Sequence, residues 1–370
     1  MNGFYWMYLV IFGLLVADHL VENKQTKERL YYLACSFLLV LFVAKDSSVS
    51  SDVPEYMLQY DIIQTLTLPE FFTHKFEIGY VLMNRMLATL FESERTLFLF
   101  MGFLIMIPYA LWLEKESDEP MMALMCFVAL NYYSHAVVLW RQLCAIGILM
   151  HSCRYIRERR IVPFLLVVGA AMLMHKSAAI FILAYLAYLL PVNKWLLIGA
   201  GVVCASMTVL DETIMDLINL LFYNYGKSFF GYRGGMTMLV ILWAFTLLVY
   251  WLLHDRLQEP KIKLLFMMMV IAAALQPVCF IFGSWSRVVL FFRIAMVMLI
   301  PELYITLVKQ GKGLQLLEKW VPGLARMLSP VYYTKGFQLV ILTLMFGVLF
   351  LWYASDLDGM YYIMAPVFSG

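Results

Sequence analysis

Val137-Val138-Leu139-Trp140-Arg141-Gln142-Leu143-Cys144-Ala145-Ile146-Gly147-Ile148-Leu149-Met150 reads as an apolar helix with an arginine and a glutamine near one end. Arg154, Arg157, Arg159 and Arg160 close its other end and are ordinary flanking charge. Arg141 is not. An arginine inside a membrane-length apolar run costs a few kcal/mol or more unless it faces a partner or water. Arg141 is therefore expected to face the place where the protein does its work.

The surrounding chain makes the same demand. Of its 370 residues 63% are hydrophobic and 14% charged, with mean hydropathy +0.81, whereas a soluble domain is about half apolar and about a quarter charged. Apolar runs recur from residue 3 to residue 353. The fold class is all-α: a polytopic integral membrane protein of one domain, residues 1–370. The net charge of +2 is spread over scattered loops, so nothing points to nucleic acid. Cys35, Cys126, Cys144, Cys153, Cys204 and Cys279 fall in apolar segments without pairing or zinc spacing, as packing residues do. The first apolar run has no basic leader or small-residue cleavage site and reads as a retained helix.

Helices are expected at about 3–20, 30–44, 96–113, 121–134, 136–153, 161–175, 177–190, 195–210, 236–254, 264–283, 288–308 and 336–353. Residues 45–75 read as an acid-rich outer loop, 211–235 as a second outer segment, and 309–335 as a cytoplasmic stretch. Residues 76–91 carry Glu77, Asn84 and Arg85 and decide the topology. Were they to span, the Arg154–Arg160 cluster would face outward, against the positive-inside rule. As a re-entrant or interfacial segment they leave every strongly basic loop inside, giving about twelve spans with both termini outside. Re-entrant backbone persists where it is buried in protein or lines a wet cavity.

Helical rise puts Arg141 roughly 20 Å above the inner boundary, counted from Arg154, and His175 roughly 18 Å above it, counted from Pro163. Arg287 sits at an outer mouth, Arg293 about two turns deeper, and Asp52 and Glu77 in the outer segments. Ionisable groups from separate stretches thus converge on one outer level. Each has a plainer reading as well. Arg141 could bond backbone carbonyls, His175 could mark a tight turn, and Arg287 could snorkel to lipid phosphates. Asp52 could be a solvated loop acid, and Tyr56 and Tyr80 interfacial aromatics. Glu77 beside Gly79-Tyr80 has less excuse, because a carboxylate entering a membrane needs a partner. Two or three arginines suit a diphosphate, and a histidine or carboxylate suits proton removal from a hydroxyl. No zinc-type spacing, Gly-rich phosphate loop or Gly-x-Ser-x-Gly elbow accompanies them, which counts against metalloenzymes and serine hydrolases. No cofactor and no metal is expected.

In this order the residues resemble the EpsG family of Wzy-like polysaccharide polymerases. The likeness runs over about residues 1–300: Lys45, Asp52 and Tyr56, then Glu77-x-Gly79-Tyr80, Arg141-Gln142, His175-x-Ser177-Ala178, and Arg287 ahead of Pro301. Lys45 departs from the arginine expected there and is given no role. The resemblance implies a fold like the GT-C-like glycan polymerases and ligases. It also implies a metal-independent glycosyltransferase that joins undecaprenyl-diphosphate-linked oligosaccharide units into O-antigen, capsule or exopolysaccharide. Its place would be the bacterial cytoplasmic (inner) membrane, with the active site facing the periplasm. A flippase and a chain-length regulator of the same pathway would be its partners, besides the lipid bilayer. By role, Arg141, Arg287 and Arg293 would bind the diphosphate, with Gln142, Ser177, Tyr80 and Tyr56 as further substrate contacts. His175 or Glu77 would be the base, and Asp52 would contact sugar or orient an arginine. A lipid-linked oligosaccharide flippase or a glycan O-acyltransferase are the alternatives. The first should line a cavity open to both sides; the second should carry polar residues into the inner half.

Overall fold

A computed structural model describes residues 3–45, 52–91, 93, 95–209, 235–280 and 285–364. The second outer segment, apart from Gly235, lies outside the described residues. Every regular element among those described is helical. In order these are α1 (Gly3–Leu20), α2 (Lys24–Ala44), α3 (Asp52–Thr65), α4 (Leu68–Thr73), α5 (Ile78–Leu90), α6 (Arg95–Glu116) and α7 (Pro120–Ala129). Next come α8 (Tyr132–Val138), α9 (Trp140–Met150), α10 (Cys153–Arg157), α11 (Ile161–Met172), α12 (Ile182–Tyr188) and α13 (Lys194–Val209). The chain continues with α14 (Met236–Leu252), α15 (Pro260–Leu275), α16 (Ser286–Arg293), α17 (Ala295–Tyr304), α18 (Lys312–Trp320), α19 (Pro322–Leu328) and α20 (Lys335–Met364).

Four of these stretches are long and apolar enough to cross a membrane: Arg95–Glu116, Pro260–Cys279, Ser286–Lys309 and Lys335–Ala354. A fifth is reached if α7 and α8, bent by 60°, form one broken span. Other apolar helices, such as Trp140–Met150 and Lys194–Val209, have 10–17 residues, against the about 20 that a straight crossing takes. The chain is a helical membrane protein by these spans.

The chain divides into two compact units. The first holds Met1–His151, Ala170–Lys176 and Ile300–Gly370; the second holds Ser152–Gly169 and Ser177–Leu299. In the first, α2 packs on α6, α6 on α9, and α20 returns to α1. Tyrosine hydroxyls pin these helices together: Tyr31 donates to the Ala110 carbonyl (2.6 Å), Tyr133 to Leu38 (2.8 Å), Tyr109 to Leu143 (2.9 Å) and Tyr8 to Phe346 (2.7 Å). Each ring fills apolar space while its hydroxyl, costly if left unbonded in a core, takes a helix carbonyl. In the second unit, α15 is the central element, packed by α10, α12, α13, α14 and α16.

Three local departures from the expected helices matter for the site. Residues 45–75, expected as a loop, fold largely into α3 and α4; Pro69 stands in the first turn of α4, and Glu70 accepts from the Thr67 amide (2.6 Å). Residues 76–91 contain α5, whose 13 residues span about 20 Å, short of a hydrocarbon core of about 30 Å. Two of its polar groups bond to backbone: Asn84 Nδ2 donates to the Tyr80 carbonyl (2.7 Å) and Arg85 to the Ile63 carbonyl (3.3 Å).

The helices expected at 121–134 and 136–153 break elsewhere. Asn131, at φ +63°, bends the chain between α7 and α8, a left-handed conformation that asparagine tolerates better than most residues. Leu139, at φ −98° and ψ 58°, separates α8 from α9. Arg141 consequently lies in the first turn of α9 rather than inside one long helix. The Val137 carbonyl, which an unbroken helix would offer to the Arg141 amide, instead accepts from Lys45 Nζ (2.6 Å) and Trp140 Nε1 (2.8 Å).

Candidate functional site

All the groups that meet at Glu77 belong to the first unit. Glu77 is the residue before α5, with extended backbone (φ −64°, ψ 145°), so its side chain leaves the helix end rather than the helix flank. One carboxylate oxygen, Oε2, is ion-paired with Arg141 Nη1. The other, Oε1, accepts from His175 Nδ1 at 3.1 Å and from the Lys176 amide at 3.0 Å. Residues 64 and 98 positions apart in the chain thus share one carboxylate.

Gly79 makes this meeting possible. A Cβ at that position would lie 2.6 Å from Leu173 Cβ and 2.7 Å from the Leu173 carbonyl oxygen. Only a residue without a side chain lets α5 approach the 173–176 backbone so closely. The Tyr80 amide then donates to the Leu173 carbonyl (3.2 Å) and locks the approach. The Glu77-x-Gly79-Tyr80 spacing is therefore physical: a carboxylate, then the residue that lets its helix close in, then the amide that fastens it.

The guanidinium is held from its other side by aromatic rings. The Arg141 Cζ lies 4.0 Å from the centroid of Phe76, 5.8 Å from Tyr80 and 5.9 Å from Tyr56, within cation–π range. Tyr56 in turn stacks on Trp140, with centroids 5.0 Å apart and planes at 20°. Tyr56 and Tyr80 are 5% and 0% exposed. The reading of them as interfacial aromatics therefore gives way to packing around the Arg141 cation. Arg141, Glu77 and His175 side chains keep 18%, 10% and 23% exposure, enough for a ligand to reach them. Arg141 Nε is buried with no hydrogen-bond partner, a donor still available.

Burial raises the proton affinity of Glu77, but the His175 hydrogen bond, the Arg141 charge and the Lys176 amide outweigh it and hold the carboxyl down at about 2. At neutral pH Glu77 is an anion already in use. Because an ionised carboxylate only accepts, His175 presents Nδ1–H to Glu77.

The remaining candidates sort by unit. Gln142 is buried beside Arg141, and Asp52 opens α3 in the same unit. Ser177, Arg287 and Arg293 belong to the second unit. There Arg287 lies in the first turn of α16, Arg293 closes it with Nη1 3.5 Å from Met238 Sδ, and Ser177 Oγ is buried without a hydrogen-bond partner. The six cysteines are free thiols, all buried. Sequence reasoning missed Phe76 and the Lys176 amide. The first has the signal of an aromatic adjoining a membrane-entering carboxylate; a backbone amide carries none.

Among known protein families, the model of the EpsG family matches this chain over residues 29–315. Comparison with curated proteins and with solved structures found no match.

Proposed function

As this chain belongs to the EpsG family, we propose that it polymerises lipid-diphosphate-linked oligosaccharide units at the outer face of the cytoplasmic membrane. The observation that carries the reading is the single carboxylate of Glu77 gathering Arg141, His175 and the Lys176 amide. A membrane-embedded arginine with an unused Nε donor, next to a histidine with a free acceptor nitrogen, suits transfer of a glycosyl group from a diphosphate.

In this proposal His175 Nε2 takes the proton from the acceptor hydroxyl, and that oxygen attacks the anomeric carbon of the donor. The bond from that carbon to the diphosphate oxygen breaks, and the lipid diphosphate leaves with the electron pair, its charge met by Arg141. Glu77 holds His175 in the tautomer with Nε2 free and stabilises the imidazolium that forms, as an orienting carboxylate does. This assigns the base to His175 between the two candidates, because Glu77 is held as a paired anion. Undecaprenyl diphosphate as carrier, independence of metal and roles for Asp52, Arg287 and Arg293 rest on the resemblance, about twelve spans rest on the apolar runs and the basic loops between them, and all belong to the same proposal.

The test is reconstitution of the purified chain with a lipid-diphosphate-linked repeat unit, without nucleotide or metal, followed by gel separation. The expected result is a ladder of longer products. Arg141→Ala and His175→Ala should each abolish it while leaving membrane insertion intact. A full ladder from inserted Arg141→Ala protein would refute the assignment. Transport of the intact unit across the bilayer without a ladder would make the cluster part of a flippase.

A further inference from the structure

Lys45 follows α2 and is 4% exposed, a rare degree of burial for lysine. Its ammonium lies 3.8 Å from the Phe42 ring centroid, 4.4 Å from Trp140 and 5.6 Å from Phe98. Its hydrogen bond goes to the Val137 carbonyl at 2.6 Å. Its own carbonyl accepts from Arg95 Nη1 at 2.7 Å, tying the end of α2 to the start of α6. A buried cation is costly unless it is paired, and here an aromatic box and one carbonyl receive it. That carbonyl is the one released by the break at Leu139, two residues before Arg141.

We infer that Lys45 is a positioning residue for Arg141: by holding the Val137 carbonyl it keeps the α8–α9 break open and so aims the guanidinium at Glu77. The two residues are linked physically. Trp140 shares the Val137 carbonyl with Lys45 (2.8 Å), and its ring carries Tyr56, which lies beside the Arg141 guanidinium. Removing the ammonium lets Val137 revert toward an ordinary helical bond with the Arg141 amide, which rotates the first turn of α9. The contacts of the Lys45 ammonium are to Val137, Phe42, Phe98 and Trp140, outside the clamp that Glu77, Arg141 and His175 form.

The primary test needs no ligand. The full chain in detergent is modified with phenylglyoxal, and the rate at Arg141 is read by mass spectrometry, with Arg85 as internal reference. Lys45→Met keeps apolar volume in the aromatic box, a replacement that buried ions often tolerate. It should raise the Arg141 rate severalfold and leave Arg85 unchanged. Lys45→Arg, which keeps a cationic donor, should stay near wild type. An unchanged Arg141 rate in Lys45→Met overturns the inference. So does a parallel rise at Arg85, which marks general loosening, or a Lys45→Arg rate as high as that of Lys45→Met.

A second arm rests on the diphosphate reading above and uses farnesyl diphosphate as the probe. Binding should weaken about tenfold in Lys45→Met, and the double variant with Arg141→Ala should lose no more than Arg141→Ala alone, because the two act as one unit. Additive losses would overturn the inference. If the wild-type chain binds no farnesyl diphosphate, the proposed function fails, and the modification rates decide on Lys45 by themselves.

Discussion

Gly79→Ala offers the sharpest stability test of the clamp. The added Cβ would meet Leu173 at 2.6 and 2.7 Å, whereas ordinary contact begins at 3.4 Å, so α5 and the 173–176 backbone must part by about 0.8 Å. Three hydrogen bonds cross that seam: Tyr80 amide to Leu173 carbonyl at 3.2 Å, and His175 and the Lys176 amide to Glu77 at 3.1 and 3.0 Å. Separation by that amount takes all three to about 4 Å, beyond hydrogen bonding. Overpacking costs about 1–3 kcal/mol, and bonds to a charged acceptor add about 1.5–3 kcal/mol each when fully lost. Partial relaxation leaves a net loss of about 3 kcal/mol. Equilibrium unfolding in detergent would read it, with Gly169→Ala as control, because a Cβ at Gly169 meets nothing within 4 Å. The control should be neutral or slightly stabilising, as alanine in a helix is. Equal stability of the Gly79→Ala and Gly169→Ala proteins would refute the close-approach reasoning.

Two further outcomes follow from the same geometry. Glu77 titrates lower in the folded chain, at about 2, than the 4.5 of a free carboxyl. Its contribution is therefore complete above pH 4.5 and lost as pH falls toward 2. Allowing for solvent screening, wild type should lose about 2 kcal/mol relative to Glu77→Gln across that window; parallel unfolding curves for the two proteins would contradict it. For topology, a cysteine at Asp52 should react with an impermeant thiol reagent on intact cells, while the six native thiols, all buried, stay unlabelled. Labelling only after lysis would place α3 on the inner side.

Much of the clamp was legible because apolar surroundings make charge conspicuous. Arg141 stands out in a run of apolar residues, His175 closes one and Glu77 opens one, and helical rise alone put Arg141 and His175 at matching depth. The breaks were not legible. Nothing in Val137-Val138-Leu139 has a breaker's side chain, and the Val137 carbonyl freed by the break at Leu139 is held by a lysine 92 positions from Val137. The acid-rich stretch 45–75 read as a loop because its polarity hides two short helices. The apolar positions of α3, Val53, Tyr56, Tyr60 and Ile63, are buried at helical spacing, a pattern too short to read as a membrane-length run. Lys45 was set aside because a lysine there broke a sequence pattern, yet its ammonium needed only a carbonyl and three aromatic faces, both supplied by tertiary packing.

The shared carboxylate also bears on turnover. Glu77 already neutralises Arg141, so an arriving anion must exchange with a resident counter-ion rather than fall into an empty positive well. That exchange weakens capture, but it is reversible: once the bond to the sugar is broken, the same carboxylate stands ready to reclaim the guanidinium and displace the spent carrier. On the reading proposed above, a site that must release a charged lipid after every addition gains more from that internal competitor than from tighter grip.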